Sequence, residues 1–257
     1  MRDFTYLKYE KLCEALLENN FKPKTILDYF TQKETSGKYF VMRHDVDKKP
    51  LNSLEIAKIE NRLGISSTFY FRTTKDVFIE DIIQQISNLG HEIGYHYEVL
   101  ALFNGDRQKA IKRFKSDISK IGQLAKVKSI SRHGSPGSKW DEHDLWSTYN
   151  YLDFGIECEA YIDIDYDSVH YVTDTGRCWN GDKFNIRDKV FSNLEKLDVG
   201  NTTELINSIK VLDKDIIINT HPQRWNDNYL PWFNELWMQN TKNIFKGLIK
   251  KYRNARS

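Results

Sequence analysis

From Lys38 onward the chain repeats one pattern, a short apolar run followed by an amphipathic segment, and few folds accommodate it. KYFVMRHDVD precedes NSLEIAKIENRLG, STFYFRT precedes DVFIEDIIQQISNLG, and HEIGYHYE precedes RQKAIKRFKSDISKIGQL. Strand-then-helix alternation of this kind specifies a parallel sheet covered by helices. VKSISRHGS, a short DEHDLWSTY helix, GIECEAYID, TTELINSIKVL and DIIINTHP continue the series, and a last helix is expected from Trp232 to Tyr252. About six strands in one uninterrupted series suit a (β/α) barrel better than an open sheet. Gly64 and Gly90 each stand between a helix and the next strand, where a left-handed cap is expected. Before Lys38, helical spacing over Tyr6 to Leu17, a Lys22-Pro23-Lys24 turn and a short helix through Tyr29 read as an amino-terminal cap. With no Pro/Gly/Ser linker, one domain is expected over 1–257, a helical cap at 1–37 and the barrel at 38–257.

Composition removes several function classes. A formal net charge of +2 lacks the basic excess of a chain that wraps nucleic acid, and 13% aromatic residues exclude whole-chain disorder. No stretch approaches the roughly 18 apolar residues of a membrane span, and the opening residues lack the apolar core of an export signal. Three cysteines at scattered spacing fit a reduced, cytoplasmic protein.

Five of the seven histidines, His44, His91, His96, His133 and His221, fall in the strand-like runs or at their ends. In parallel βα folds those ends build the active site. In RHDVD, alternation puts Arg43, Asp45 and Asp47 on one face, and two neighbouring carboxylates there need a divalent cation or Arg43 between them. In GHEIGYHYE, His96 and Glu98 share a face with good metal-ligand spacing, while His91 faces the other way. In SRHGSPG, Arg132 can clamp a carboxylate such as Asp45 and His133 can ligate. His221, following the apolar run Ile216 to Ile218, is placed to donate a proton. Tyr95, Tyr97, Trp179 and Trp225 adjoin these residues and offer a sugar-binding platform, whereas Trp232, Phe233 and Trp237 on the last helix read as packing residues.

Together HDVD, GHEIGYH, RHGSP and the late THPxxW segment resemble the polysaccharide deacetylases of the NodB-homology superfamily, carbohydrate esterase family four, over about Lys38 to Trp225. Within that superfamily the combination looks most like deacetylase-like proteins of bacterial O-antigen or capsule assembly. The resemblance implies a distorted (β/α) barrel of about seven parallel strands and hydrolysis of an N- or O-linked acetyl group on a sugar or sugar precursor. It also implies one divalent metal, zinc first, with nickel, cobalt or manganese as alternatives. By similarity Asp45 would be the base, Asp47 and His96 metal ligands, Arg132 the partner of Asp45, and His221 the general acid. Asp174 to Trp179 would stand in for the family's Asp-x-x-Asp-Trp segment, leaving Arg43, Tyr95, Glu98, Asp174, Trp179 and Trp225 to bind substrate or support the site. The family's second ligand histidine falls at Leu100, so a third ligand is expected from His133, then Glu98, then His91. Two other functions fit the same residues: a barrel that binds carbohydrate or an assembly partner without turnover, and a metal hydrolase acting on a different amide or ester.

Overall fold

The computed structural model describes residues 2–32, 36–135, 137–179, 188 and 190–254, those from 245 onward as backbone only. Pro136 of the RHGSP segment lies outside the described residues. Eight parallel strands form one sheet: β1 (Phe21–Pro23), β2 (Lys38–Val46), β3 (Thr68–Phe71), β4 (Glu92–Tyr97), β5 (Ser129–Arg132), β6 (Cys158–Glu159), β7 (His170–Thr173) and β8 (Ile216–Thr220). Their order is β6-β5-β4-β3-β2-β8-β7, with β1 alongside β2. The seven-strand path is a curled half-barrel. Its edge strands do not pair; Tyr161 and Tyr166, beyond β6, instead pack their rings on Tyr171 of β7, at 6.4 and 5.4 Å.

Both faces of the sheet are covered, which is why the strands read as nearly continuous apolar runs. Phe40, Met42 and Val46 of β2 face outward into the main core, under α1 (Tyr6–Glu18), α3 (Pro50–Arg62), α4 (Glu80–Asn88), α6 (Arg107–Ile121) and α7 (Thr202–Ile209). Val41 faces inward and packs with Tyr70, Cys158, Ile217 and Ile26 of α2 (Ile26–Thr31), which plugs the barrel floor. The same alternation carries Arg43 and Asp45 inward above this plug, so one strand supplies both the floor and the chemistry. Gly64 and Gly90 take φ of +72° and +89° at the expected helix-to-strand corners.

Three local expectations are corrected. Lys22 and Pro23 form strand rather than turn: β1 pairs with β2 in register Lys22↔Tyr39, so the segment read as a helical cap also contributes to the sheet. Strand β7 is an addition to the expected series, because HYVT lies between the turn-rich DYDS and DTGR with no amphipathic segment directly after it. The last helix, α8 (Tyr229–Asn254), starts three residues before the expected Trp232, and its Phe233 and Trp237 are exposed rather than packed. All three cysteines are free thiols, and no helix of the described residues is long and apolar enough to cross a membrane.

Candidate metal centre

The carboxyl ends of β2, β4, β5, β7 and β8 converge, and each delivers one side chain. Asp47 follows β2, His96 lies on β4, His133 follows β5, Asp174 follows β7 and His221 follows β8. One ligand atom each from Asp47, His96 and His133 lies within 4.8 Å of the others. Asp47 Oδ1 is 3.5 Å from Nε2 of both His96 and His133. Ligand atoms around a tetrahedral zinc at about 2.0–2.2 Å stand roughly 3.3–3.5 Å from one another, so these separations suit a shared ion. Among the described residues Asp47 Oδ1 is also buried without a hydrogen-bond partner, an orphaned acceptor that a cation would satisfy.

Each imidazole is oriented from behind. His96 Nδ1 sits 3.0 Å from the Ser131 carbonyl, to which it donates, leaving the Nε2 lone pair toward Asp47. His133 Nδ1 lies 2.9 Å from Glu98 Oε1, and Ser135 and Arg72 bind the same carboxylate. The third ligand expected first, His133, is therefore the one brought into place. Burial raises the Glu98 carboxyl, but His133 outweighs it and holds the group down at about 2. Glu98 supports the centre as a hydrogen-bond acceptor. His91 belongs to the opposite layer, bonded to Ser67 and the Ala57 carbonyl. Leu100 is buried in α5 (Val99–Leu102), whose first amides are held by Glu142; the chain coils there instead of extending over the centre.

Asp45 is gripped by an arginine other than the one expected. Arg43, fully buried two residues earlier on the same strand, donates Nε to Oδ1 at 3.1 Å and Nη2 to Oδ2 at 2.9 Å, and Asn219 adds a bond at 3.0 Å. Burial opposes ionisation, yet Arg43 keeps the Asp45 carboxyl below the usual carboxylate range. Arg132 instead forms a two-oxygen pair with Asp141 at 2.7 Å, because its position on β5 turns it away from the barrel axis. His221 Nδ1 meets Asp174 Oδ1 at 2.7 Å, while Nε2 points to Asp47 Oδ2 at 3.8 Å. Burial and Arg224 push its pKa down, but Asp174 brings the net shift upward.

Of the supporting residues, Asp174 and Glu98 serve as second partners of His221 and His133, and Trp225 donates to Asp174 at 2.9 Å. The expected sugar platform is not there. Trp179 and Trp225 are 3% and 0% exposed in an aromatic cluster with Phe4, and Trp179 bonds Thr202. Tyr95 and Tyr97 are buried with their hydroxyls on Asp117 and Glu159, and of the two Tyr95 edges the larger cavity. Reading the sequence alone missed Asn219, Ser131, which bonds Arg43, and Gln223, which bonds Asp47 at 3.3 Å. Asn219 pairs in register with Arg43 across β2 and β8, a relation only strand order reveals. Two cavities meet at the centre, of about 470 and 330 Å³, sharing Arg72, His96 and His133 as walls.

The fold is thus a half-barrel of parallel strands with an Asp-His-His cluster that could hold a metal ion at its carboxyl end. The chain matches no protein-family model and no curated protein. Among solved structures it is similar to a family 4 carbohydrate esterase from Streptomyces lividans, at 13% identity over 82% of this chain and 90% of that one, with a TM-score of 0.44. It is similar to a candidate polysaccharide deacetylase from Mycobacterium smegmatis, at 12% identity over 86% and 88%, TM-score 0.44. A xylanase esterase domain from the hindgut metagenome of Trinervitermes trinervoides aligns at 15% identity over 83% and 84%, TM-score 0.40. Likeness at this level does not fix an activity.

Proposed function

We propose that this protein is a metal-dependent hydrolase that removes an N- or O-linked acetyl group from a sugar or sugar precursor, with zinc as the ion, in the assembly of a bacterial surface polysaccharide such as O-antigen or capsule. One observation carries the reading: an orphaned Asp47 oxygen faces two imidazoles whose far nitrogens are both tied down, beside a clamped carboxylate and a carboxylate-backed histidine. The surface-polysaccharide role is supported by the resemblance of HDVD, GYHYE, RHG and THPxxW. Held by Asp47, His96 and His133, a divalent ion supplies Lewis-acid polarisation of the acetyl carbonyl and acidifies the attacking water. Asp45, kept ionised by the Arg43 fork, takes the proton that water loses. His221 turns Nε2 to the cleft and, with Asp174 holding Nδ1, delivers a proton to the departing nitrogen or oxygen. Asn219 and Arg43 hold both oxygens of the base in one orientation.

Elemental analysis of protein purified without chelator or metal-affinity tag is the direct test, alongside Asp47→Ala and His133→Ala. The reading requires near-stoichiometric divalent metal in the parent, its loss in both variants, and acetate release from acetylated sugars by the parent alone. Protein that stays metal-free after incubation with zinc, nickel, cobalt or manganese refutes it. Hydrolysis of another amide or ester, without acetyl-sugar turnover, moves the assignment to that bond.

A further inference from the structure

The edge strands of the half-barrel, β6 and β7, do not pair, and tyrosines bridge them instead. Tyr161 and Tyr166, from the segment after β6, meet Tyr171 of β7, and the Tyr161 and Tyr171 hydroxyls stand 3.5 Å apart. This seam lies against Arg43. The guanidinium carbon of Arg43 is 4.3 Å from the centre of the Tyr161 ring and 5.4 Å from that of Tyr70 on β3. Arg132 is 5.1 Å from the same Tyr161 ring, but its carboxylate is Asp141, so it takes no hold on Asp45.

Arg43 needs such a neighbour. Its Nε and Nη2 are engaged with Asp45 and Ser131, but Nη1 is buried with no hydrogen-bond partner among the described residues. A buried guanidinium donor without an acceptor costs free energy, and where no oxygen is at hand the negative face of an aromatic ring answers it. The seam also reaches Asp45 by a second route, because Asn219 donates both to Asp45 Oδ2 at 3.0 Å and to the Tyr171 hydroxyl at 3.2 Å. Both groups that hold the base are therefore held in turn by tyrosines of the seam.

We propose that Tyr161 is a positioning residue for the base: its ring fixes the plane of the Arg43 fork and, through the fork, the orientation of the Asp45 carboxylate. Tyr161 walls neither of the two cavities at the centre, so it acts through Arg43 and not on the substrate. The contact that bridges the open edge of the barrel thus also sets the geometry of proton removal, which no strand hydrogen bond could do at an edge where the strands do not pair. The effect on turnover rests on the hydrolase reading above; the hold of Tyr161 on Arg43 does not.

Two substitutions separate the ring from the bulk. Tyr161→Phe keeps the ring and gives up the hydroxyl, whereas Tyr161→Leu keeps an apolar side chain and gives up the ring. On an acetylated sugar Tyr161→Leu is expected to lower kcat about ten- to a hundredfold, the scale of a slightly misplaced reacting group, with KM and metal content at parent values. Tyr161→Phe should restore kcat to within a few-fold. A kcat that Tyr161→Leu leaves intact, a rise in KM in place of the fall in kcat, loss of metal along with turnover, or a Phe variant as slow as the Leu variant overturns the proposal. A double-mutant cycle on urea midpoints, Tyr161→Leu with Arg43→Gln, reads the contact without turnover: the double variant should lose less than the two single losses together, and additive losses overturn the proposal. Absence of turnover in the parent overturns the hydrolase reading, and the cycle alone then upholds or overturns the hold on Arg43.

Discussion

Asp45 and Arg43 form a buried pair in which each charge exists because of the other. Arg43→Ala leaves the buried Asp45 without its two-oxygen partner, with an expected loss of about 3–5 kcal/mol in urea unfolding. Its activity should fall on the order of 10²- to 10⁴-fold, the usual value of a positioned acid or base. Arg132→Ala, by contrast, breaks the pair with Asp141 and the stacking on Tyr161 but leaves the Arg43 fork in place, and should leave turnover within a few-fold of the parent. Equal losses in the two variants would return the role to Arg132. Asp174→Asn removes the charge that lifts His221. A general acid works while protonated and is lost as pH rises through its pKa, so the alkaline limb of the rate profile should move to lower pH. A limb that stays put would exclude His221 as the proton donor.

Strand β4 delivers its ligand through a glycine. A Cβ on Gly94 would sit 2.3 Å from the Tyr70 ring and 2.9 Å from the Ser129 carbonyl, and Tyr70 is fully buried with nowhere to move. Gly94→Ala is therefore expected to cost at least the 1–3 kcal/mol of an overpacked core, about, and to misplace His96 two residues on. Gly64→Ala meets nothing within 4 Å and bears only the strain of φ +72°, about 1–2 kcal/mol, with metal binding intact. Chemical denaturation with metal analysis separates them; equal stability and equal metal content would refute the close-approach argument. At this scale the alternation of strands and helices was legible because long periodic segments announce themselves. β1 and β7 were not: Pro23 reads as a turn, and HYVT lies between the turn-rich DYDS and DTGR with no amphipathic segment directly after it, so both form through their neighbours rather than through their own pattern.

The barrel stores charge at both ends of its axis. Opposite the centre, Glu92 at the start of β4 accepts bonds from Ser129, from Thr68 at 2.6 Å and from the Leu27 amide at 3.1 Å, yet burial outweighs them and raises its pKa. A carboxyl whose folded pKa lies above its unfolded value contributes stability that is complete below the ordinary 4.5 and is lost as pH rises through the folded value. Parent stability should accordingly decline with rising pH relative to Glu92→Gln, whose amide keeps the same partners without a charge. Parallel urea midpoints across the range would contradict this. At the other end two cavities flank the centre, and α8 walls the smaller of them.

By itself the sequence determined the strand-helix series, the shared face of Arg43 and Asp45, and a set of five histidines that includes the three at the centre, because period and side-chain chemistry are local properties. At the head of its alternatives for a third ligand stood His133, the residue the fold brings beside Asp47 and His96. Which arginine holds Asp45 was left to the tertiary structure: Arg43 and Arg132 offer the same fork, and only the barrel's curvature aims one inward and the other at Asp141. The aromatic residues were decided there too. A tryptophan beside a site residue in sequence is drawn into whatever apolar volume lies next to it, and for Trp179 and Trp225 that volume is the core behind the centre. On α8 the polar bonds of Glu235 to Lys49 and of Asn243 to the Gly176 carbonyl fix the rotation of the helix, and so leave Phe233 and Trp237 outside.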